Sequence, residues 1–110
     1  MEFTIRAEGP YTVVALSGEV DLHYSPQARE QILKYLGNKN HVLVDLSAVG
    51  YIDSSGIASL VEGYQLAKIN NLKFGLVGVS DPAMQVIQLA RLDTVFPIHK
   101  SVKDRMEQDG

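Results

Sequence analysis

Apolar and polar positions alternate along residues 2–8. Phe3, Ile5 and Ala7 fall on one side and Glu2, Thr4, Arg6 and Glu8 on the other, the period-two mark of a half-buried strand. Gly9-Pro10 signals a turn, and the β-branched and apolar run Tyr11–Leu16 makes a hairpin partner. The period then changes. Ala28, Ile32, Tyr35 and Leu36 share one helical face, with Ser25 expected as N-cap, Pro26 at the first helical position and Gly37 at the left-handed C-terminal position. His41–Leu46 holds an unbroken apolar row, Val42-Leu43-Val44, which suits a central strand buried on both faces. A second helix begins near Ser54 and keeps a 3.6-residue period through Ile57, Leu60, Val61, Tyr64 and Ala67. Asn70-Asn71 ends it, since asparagine tolerates the left-handed conformation. Leu72–Val77 predicts a strand, and Ser80-Asp81-Pro82 caps a third helix carrying Ala83, Val86, Ile87 and Ala90. Val95–Ile98 predicts a short edge strand, and residues from Ser101 a last helix.

The order β-β-α-β-α-β-α-β-α predicts a small α/β fold. Its mixed, mostly parallel sheet has four to five strands, with about four helices packed on it and one antiparallel pair from the opening hairpin. At 110 residues the whole chain, 1–110, is expected to form a single domain. The net charge of -3 and the scattered cations offer no basic patch, so no nucleic-acid partner is expected. Lys100, Lys103 and Arg105 read as the solvated face of the last helix. There is no cysteine, which removes disulfides, zinc–thiolate sites and thiol catalysis. No stretch approaches the ~20 apolar residues of a membrane span. The N-terminus reads as a strand and not a leader, so a soluble cytoplasmic protein is expected, without a membrane partner.

Chemistry concentrates after the apolar strand. Functional residues of open α/β sheets gather beyond the carboxyl ends of strands. Here that place is Asp53-Ser54-Ser55-Gly56, at a helix start whose backbone N–H groups lack internal partners. Asp53 or Ser54 fits a helix cap, and a phosphate on a serine there would meet free N–H groups and the positive end of the helix dipole. Gly56 weakens the helix by about 1 kcal/mol relative to alanine. Either another backbone approaches closely or the neighbouring helix crowds it. Asp21, in Leu16-Ser17-Gly18-Glu19-Val20-Asp21, fits a loop cap before Pro26. Together with Asp53 it would form an acidic rim near the serine, fit for magnesium or a basic partner surface. The helix beyond Ser54, including Ser59, Glu62 and Gly63, is expected to add to a partner surface.

Leu16–Asp21, Val44-Asp45-Leu46-Ser47-Ala48-Val49 and Ile52-Asp53-Ser54-Ser55-Gly56-Ile57, in this register, closely resemble the anti-sigma-factor antagonist family, whose fold is the STAS domain. The resemblance covers nearly the whole chain, including Leu72–Leu89 and Leu92–Ile98. It implies a partner-switching protein and not an enzyme. The unphosphorylated form would bind an anti-sigma factor that is also a serine kinase, freeing a sigma factor. Phosphorylation of Ser54, with Ser55 as second choice, would break the complex, and a metal-dependent serine phosphatase would restore it. Asp21, Asp53, Ser55 and Gly56 would lie near the partner and its nucleotide. No cofactor or metal is implied for the chain itself, and a monomer is expected.

Three readings compete. A Ser–His–Asp hydrolase needs His23, His41 or His99 within reach of Ser54, and no Gly-x-Ser-x-Gly elbow is present. His23 is expected to be a solvated loop residue, and His41 and His99 structural or exposed. A phosphocarrier needs a histidine at a helix start, and none clearly has that place. Within the resembled fold, the kinase partner would control something other than a sigma factor; the chain's lack of a fused segment favours the stand-alone antagonist.

Overall fold

The computed structural model describes residues 1–110 and has the predicted element order. The elements are β1 (Glu2–Glu8), β2 (Tyr11–Val20), α1 (Ser25–Gly37), β3 (His41–Ile52), α2 (Ser54–Ile69), β4 (Phe74–Val77), α3 (Asp81–Leu89), β5 (Ile98–His99) and α4 (Val102–Asp109). They form one five-stranded sheet in the order β1-β2-β3-β4-β5. β1 and β2 are antiparallel, joined at Glu8↔Tyr11 by Gly9-Pro10, with Gly9 at φ +56°. All other pairs are parallel. No helix is long and apolar enough to cross a membrane.

Alternation along the strands sorts two cores. Val14, Leu16, Val42, Val44, Leu46 and Leu76 face α1, α2 and α3, which contribute Ala28, Ile32, Leu60, Ala67, Ala83 and Ile87. The other face buries Tyr11, Val13, Leu43 and Val77 under Val102 of α4. Gly63 lets α2 cross α1, since a Cβ there would meet Ile32 Cγ2 at 2.7 Å and Phe74 Cε1 at 3.1 Å.

Several boundaries differ from the sequence reading. β2 and β3 run on to Val20 and Ile52, beyond the expected Leu16 and Leu46. The polar residues Ser47 and Gly50 break the apolar row, yet pairing continues through register shifts between Ala15 and Ser17 and between Gly18 and Glu19. Ser25 is not the cap of α1. It lies buried inside the helix, and the capping residue is Tyr24. Nor does Gly37 take the left-handed position, which falls to Lys39 at φ 69°. There Asn40 N–H bonds Tyr35 O and Lys39 N–H bonds Leu36 O. Asn71 (φ 57°) ends α2 in the same way, as expected of an asparagine. β5 begins after Pro97, because the Val95 and Phe96 N–H groups turn back to Leu92 O.

Arg105 does not belong to a solvated face. It is buried, donates from Nη1 to Phe74 O (3.0 Å) and from Nε to Asp109 Oδ1 (3.1 Å), and lies over the Tyr11 ring. The Tyr11 hydroxyl donates to Asp109 Oδ2. Burial first, and then the Asp109 carboxylate, push the Tyr11 phenol up to about 12. An unfolded tyrosine ionises near ~10, so the folded chain prefers the protonated form. The stabilisation is therefore complete below pH 10 and is lost as pH rises through 12. Between pH 10 and 12 the melting temperature of the wild type should fall by roughly 5–10 °C more than that of Tyr11→Phe. Parallel curves in a thermal melt series would remove Tyr11 as the alkaline-labile group.

Candidate functional site at the start of helix α2

The site forms where β2 and β3 end together, through the pairing Val20↔Ile52, and the chain turns into α2. Asp53 N–H donates to Val20 O (3.3 Å). Gly56 permits the junction. A Cβ on it would stand 2.6 Å from Ile52 Cγ1 and 2.7 Å from Val20 O. Of the two readings of this glycine, close approach to a strand backbone is the one found, and the crowding comes from β2 and β3, not from a helix.

Asp53 is the N-cap, and it uses both carboxylate oxygens. Oδ1 accepts from the N–H groups of Ser55 (3.0 Å) and Gly56 (3.2 Å) and from the Ser55 hydroxyl (2.5 Å). Oδ2 accepts from the N–H of Leu22 (3.1 Å), in the connection between β2 and α1. The Ser55 hydroxyl foremost, and then the Gly56, Ser55 and Leu22 amides, hold the Asp53 carboxyl below the usual carboxylate range. The group is ionised at neutral pH, and its contribution is present above the ordinary aspartate range and lost as pH falls through its lowered value.

The two serines are thereby separated in character. Ser54, the first residue of α2, is exposed, and neither its N–H nor its hydroxyl has a protein partner. Ser55 is half-buried with its hydroxyl committed to Asp53. The picture of several free N–H groups awaiting a phosphate is corrected here. Those of Ser55 and Gly56 are taken by Asp53, leaving that of Ser54. A group added to the Ser54 oxygen therefore projects to solvent beside an ionised carboxylate.

Asp21 occupies the neighbouring turn as a loop cap. Its Oδ1 accepts from the N–H groups of His23 (3.0 Å) and Tyr24 (3.1 Å), and its carbonyl accepts from those of Tyr24 and Ser25. Through the Leu22–Asp53 bond this turn abuts the start of α2, so Asp21 and Asp53 do share one edge. The two carboxylates belong to no group of three or more side chains suited to a metal ion. His23 is exposed, with its ring edge-on to Tyr24 (4.6 Å). His41 Nδ1 accepts from Lys73 N–H (2.9 Å), and His99 stands beside Arg105. No imidazole is hydrogen-bonded to Ser54.

The expected partner face on α2 is corrected at Ser59 and Gly63, while Glu62 stays at the surface. Ser59 is buried and donates to Ser25 O and Ser55 O, and Gly63 is packed against Ile32 and Phe74. Glu62 is paired with Arg29 at 2.6 Å. The residues that α2 exposes from Ser54 onward are Ala58, Gln65, Lys68 and Ile69. Sequence reasoning also passed over Leu22, whose side chain is 76% exposed. No periodicity marks a single apolar residue in a turn, and the bond to Asp53 spans 31 positions.

Residues 2–105 match the family model described as STAS domain. An anti-sigma-B factor antagonist of Listeria monocytogenes is 27% identical over 94 residues, covering 84% of this chain and 82% of that protein. A solved anti-sigma factor antagonist from Mycobacterium paratuberculosis has 26% identity and a TM-score of 0.84, with coverages of 97% of this chain and 92% of that one. The Bacillus cell fate determinant SpoIIAA, solved in its phosphorylated form, has a TM-score of 0.75 at 17% identity, covering 99% of this chain and 100% of that one, a likeness of fold.

Helix propensity alone would make Gly56→Ala stabilising by about 1 kcal/mol. The contacts with Val20 O and Ile52 reverse the sign, and the substitution should cost about 1–3 kcal/mol in urea unfolding. Gly50→Ala, with nothing within 4 Å of its Cβ, should not share that loss. Equal effects of the two would deny the close approach.

Proposed function

The chain belongs to the STAS domain family, and on that footing we propose that it is an anti-sigma-factor antagonist switched by phosphorylation of Ser54. Unphosphorylated, it binds an anti-sigma factor that is also a serine kinase, and so frees a sigma factor. Phosphate on Ser54 ends that complex, and a metal-dependent serine phosphatase restores the binding form. The observation that carries this reading is the contrast between the serines. The Ser54 hydroxyl is exposed and unpartnered, whereas that of Ser55 is bonded to Asp53.

Charge supplies the mechanism. A phosphoserine carries about -1.5 to -2 charges at neutral pH. On Ser54 it would stand next to Asp53, which is ionised, and on the edge that Asp21 shares. An interface fitted to a small hydroxyl would then meet like charge and a dianion to desolvate. A loss of ~3 kcal/mol already weakens binding more than a hundredfold. No rearrangement of the fold is required. The family's named relatives support the role: antagonists of anti-sigma factors recur among the similar proteins, and SpoIIAA has been solved in a phosphorylated form.

The test is incubation with ATP, magnesium and the serine kinase encoded nearest to the chain, followed by intact mass. The wild type should gain the mass of one phosphate and Ser54→Ala none, and the phosphorylated chain should bind that kinase at least about a hundredfold more weakly. A phosphate that persists in Ser54→Ala would move the acceptor to Ser55 or elsewhere.

A further inference from the structure

We propose that Leu22 is an apolar anchor of the partner-binding surface and that Asp53 is the positioning residue that holds it beside Ser54. The proposal rests on the antagonist reading above and assigns that surface two specific tasks.

Leu22 places an aliphatic side chain in solvent at 76% exposure, on a turn that is fixed at both ends. Asp21 ties down the N–H groups of His23 and Tyr24, and Asp53 Oδ2 ties down that of Leu22 itself. A large apolar group presented on a rigid turn loses little backbone freedom on association, so more of its burial appears as affinity. Its placement is selective. The other exposed large hydrophobic side chains are Tyr51, Ile69, Leu89 and Val95. Tyr51 lies at the end of β3, two positions before Asp53, whereas Ile69 ends α2, fifteen residues along the helix from Ser54, or about 22 Å. Leu22 alone is bonded through its own backbone to the cap of the Ser54 helix.

Charge describes the partner. Residues 17–28 and 46–61 contain no lysine or arginine, and their carboxylates are Glu19, Asp21 and Asp53. A complementary protein surface presents an apolar pocket for Leu22, basic groups opposite Glu19 and Asp21, and a close, uncharged fit around the Ser54 hydroxyl that a phosphate would break. Such a face reads Leu22 and Ser54 as a single epitope only while Asp53 keeps them in register.

Asp53→Asn separates the two tasks of this carboxylate. Asparagine is as good an N-cap as aspartate, so one oxygen still serves Ser55 and Gly56. The other oxygen becomes an NH2 group, which cannot accept from the Leu22 N–H. The experiment measures binding of the unphosphorylated full chain to the same serine kinase, and amide hydrogen exchange by NMR. Leu22→Ala should weaken binding roughly tenfold or more with an unchanged melting temperature. Asp53→Asn should speed exchange of the Leu22 amide at least about tenfold while the α2 amides keep their protection. The double variant should bind no more than about twofold more weakly than the weaker single variant, because both changes remove one contact. Wild-type affinity in Leu22→Ala overturns the anchor and leaves the antagonist reading standing. Additive losses, or an unchanged Leu22 exchange rate, overturn the positioning role. Absence of wild-type binding overturns the antagonist reading, and this proposal with it.

Discussion

Everything at the functional end of the molecule depends on how closely the first turn of α2 approaches the backbone of β2. The Val20 carbonyl accepts the Asp53 N–H at 3.3 Å, and the same carbonyl lies 2.7 Å from where a Gly56 side chain would begin. The helix therefore starts on the strand ends themselves, with no intervening loop. That contact fixes where Ser54 emerges. It also sets the distance over which the Asp53 carboxylate reaches the neighbouring turn. A helix weakened by glycine at its start is retained because the approach needs the missing Cβ.

Asp53 then connects what the sheet has brought together. One oxygen caps α2, and the other holds the Leu22 amide from a segment 31 residues earlier. Because the carboxylate is spent on four donors, it stays charged and immobile. The adjacent Ser54 is left as the exposed hydroxyl on a surface whose charge is already negative. Modification there changes electrostatics with little demand on packing, which suits a protein whose interior is closed on all sides of the sheet.

The fold was legible where the apolar positions keep their period, as in Phe3–Ile5 and in the stripe Ile57–Leu60–Ala67. Legibility failed where partners distant in sequence decide the outcome. β3 continues past Leu46 because β2 supplies a matching strand through two register shifts, which no local pattern announces. Ser25 looks like a cap but sits inside the α1–α2 contact, where its carbonyl receives the Ser59 hydroxyl. The same contact buries Ser59 and Gly63, which their place beside the motif had put on a partner surface. Arg105, charged and near the chain end, reads as solvated until the Phe74 carbonyl and Asp109 are placed around it. At the site itself, the motif residues were visible and the spare hydroxyl was not, because the distinction between Ser54 and Ser55 lies in a single hydrogen bond.

The cover on the sheet's second face has a separate consequence for how the molecule opens. α4 is eight residues long, too short to persist by itself, and it is fastened through Val102, Arg105 and the Tyr11–Asp109 contact. Fraying of the last turn removes Asp109 first, and with it the partner of both Tyr11 and Arg105. The resulting excursion bares Tyr11, Val13, Leu43 and Val77 on one side of the sheet, while the α1–α2–α3 layer keeps its own cohesion on the other. The sheet thus carries two apolar clusters of unequal size. The smaller relies on α4 for its cover, whereas Val20 and Ile52, at the strand ends beside Ser54, belong to the larger.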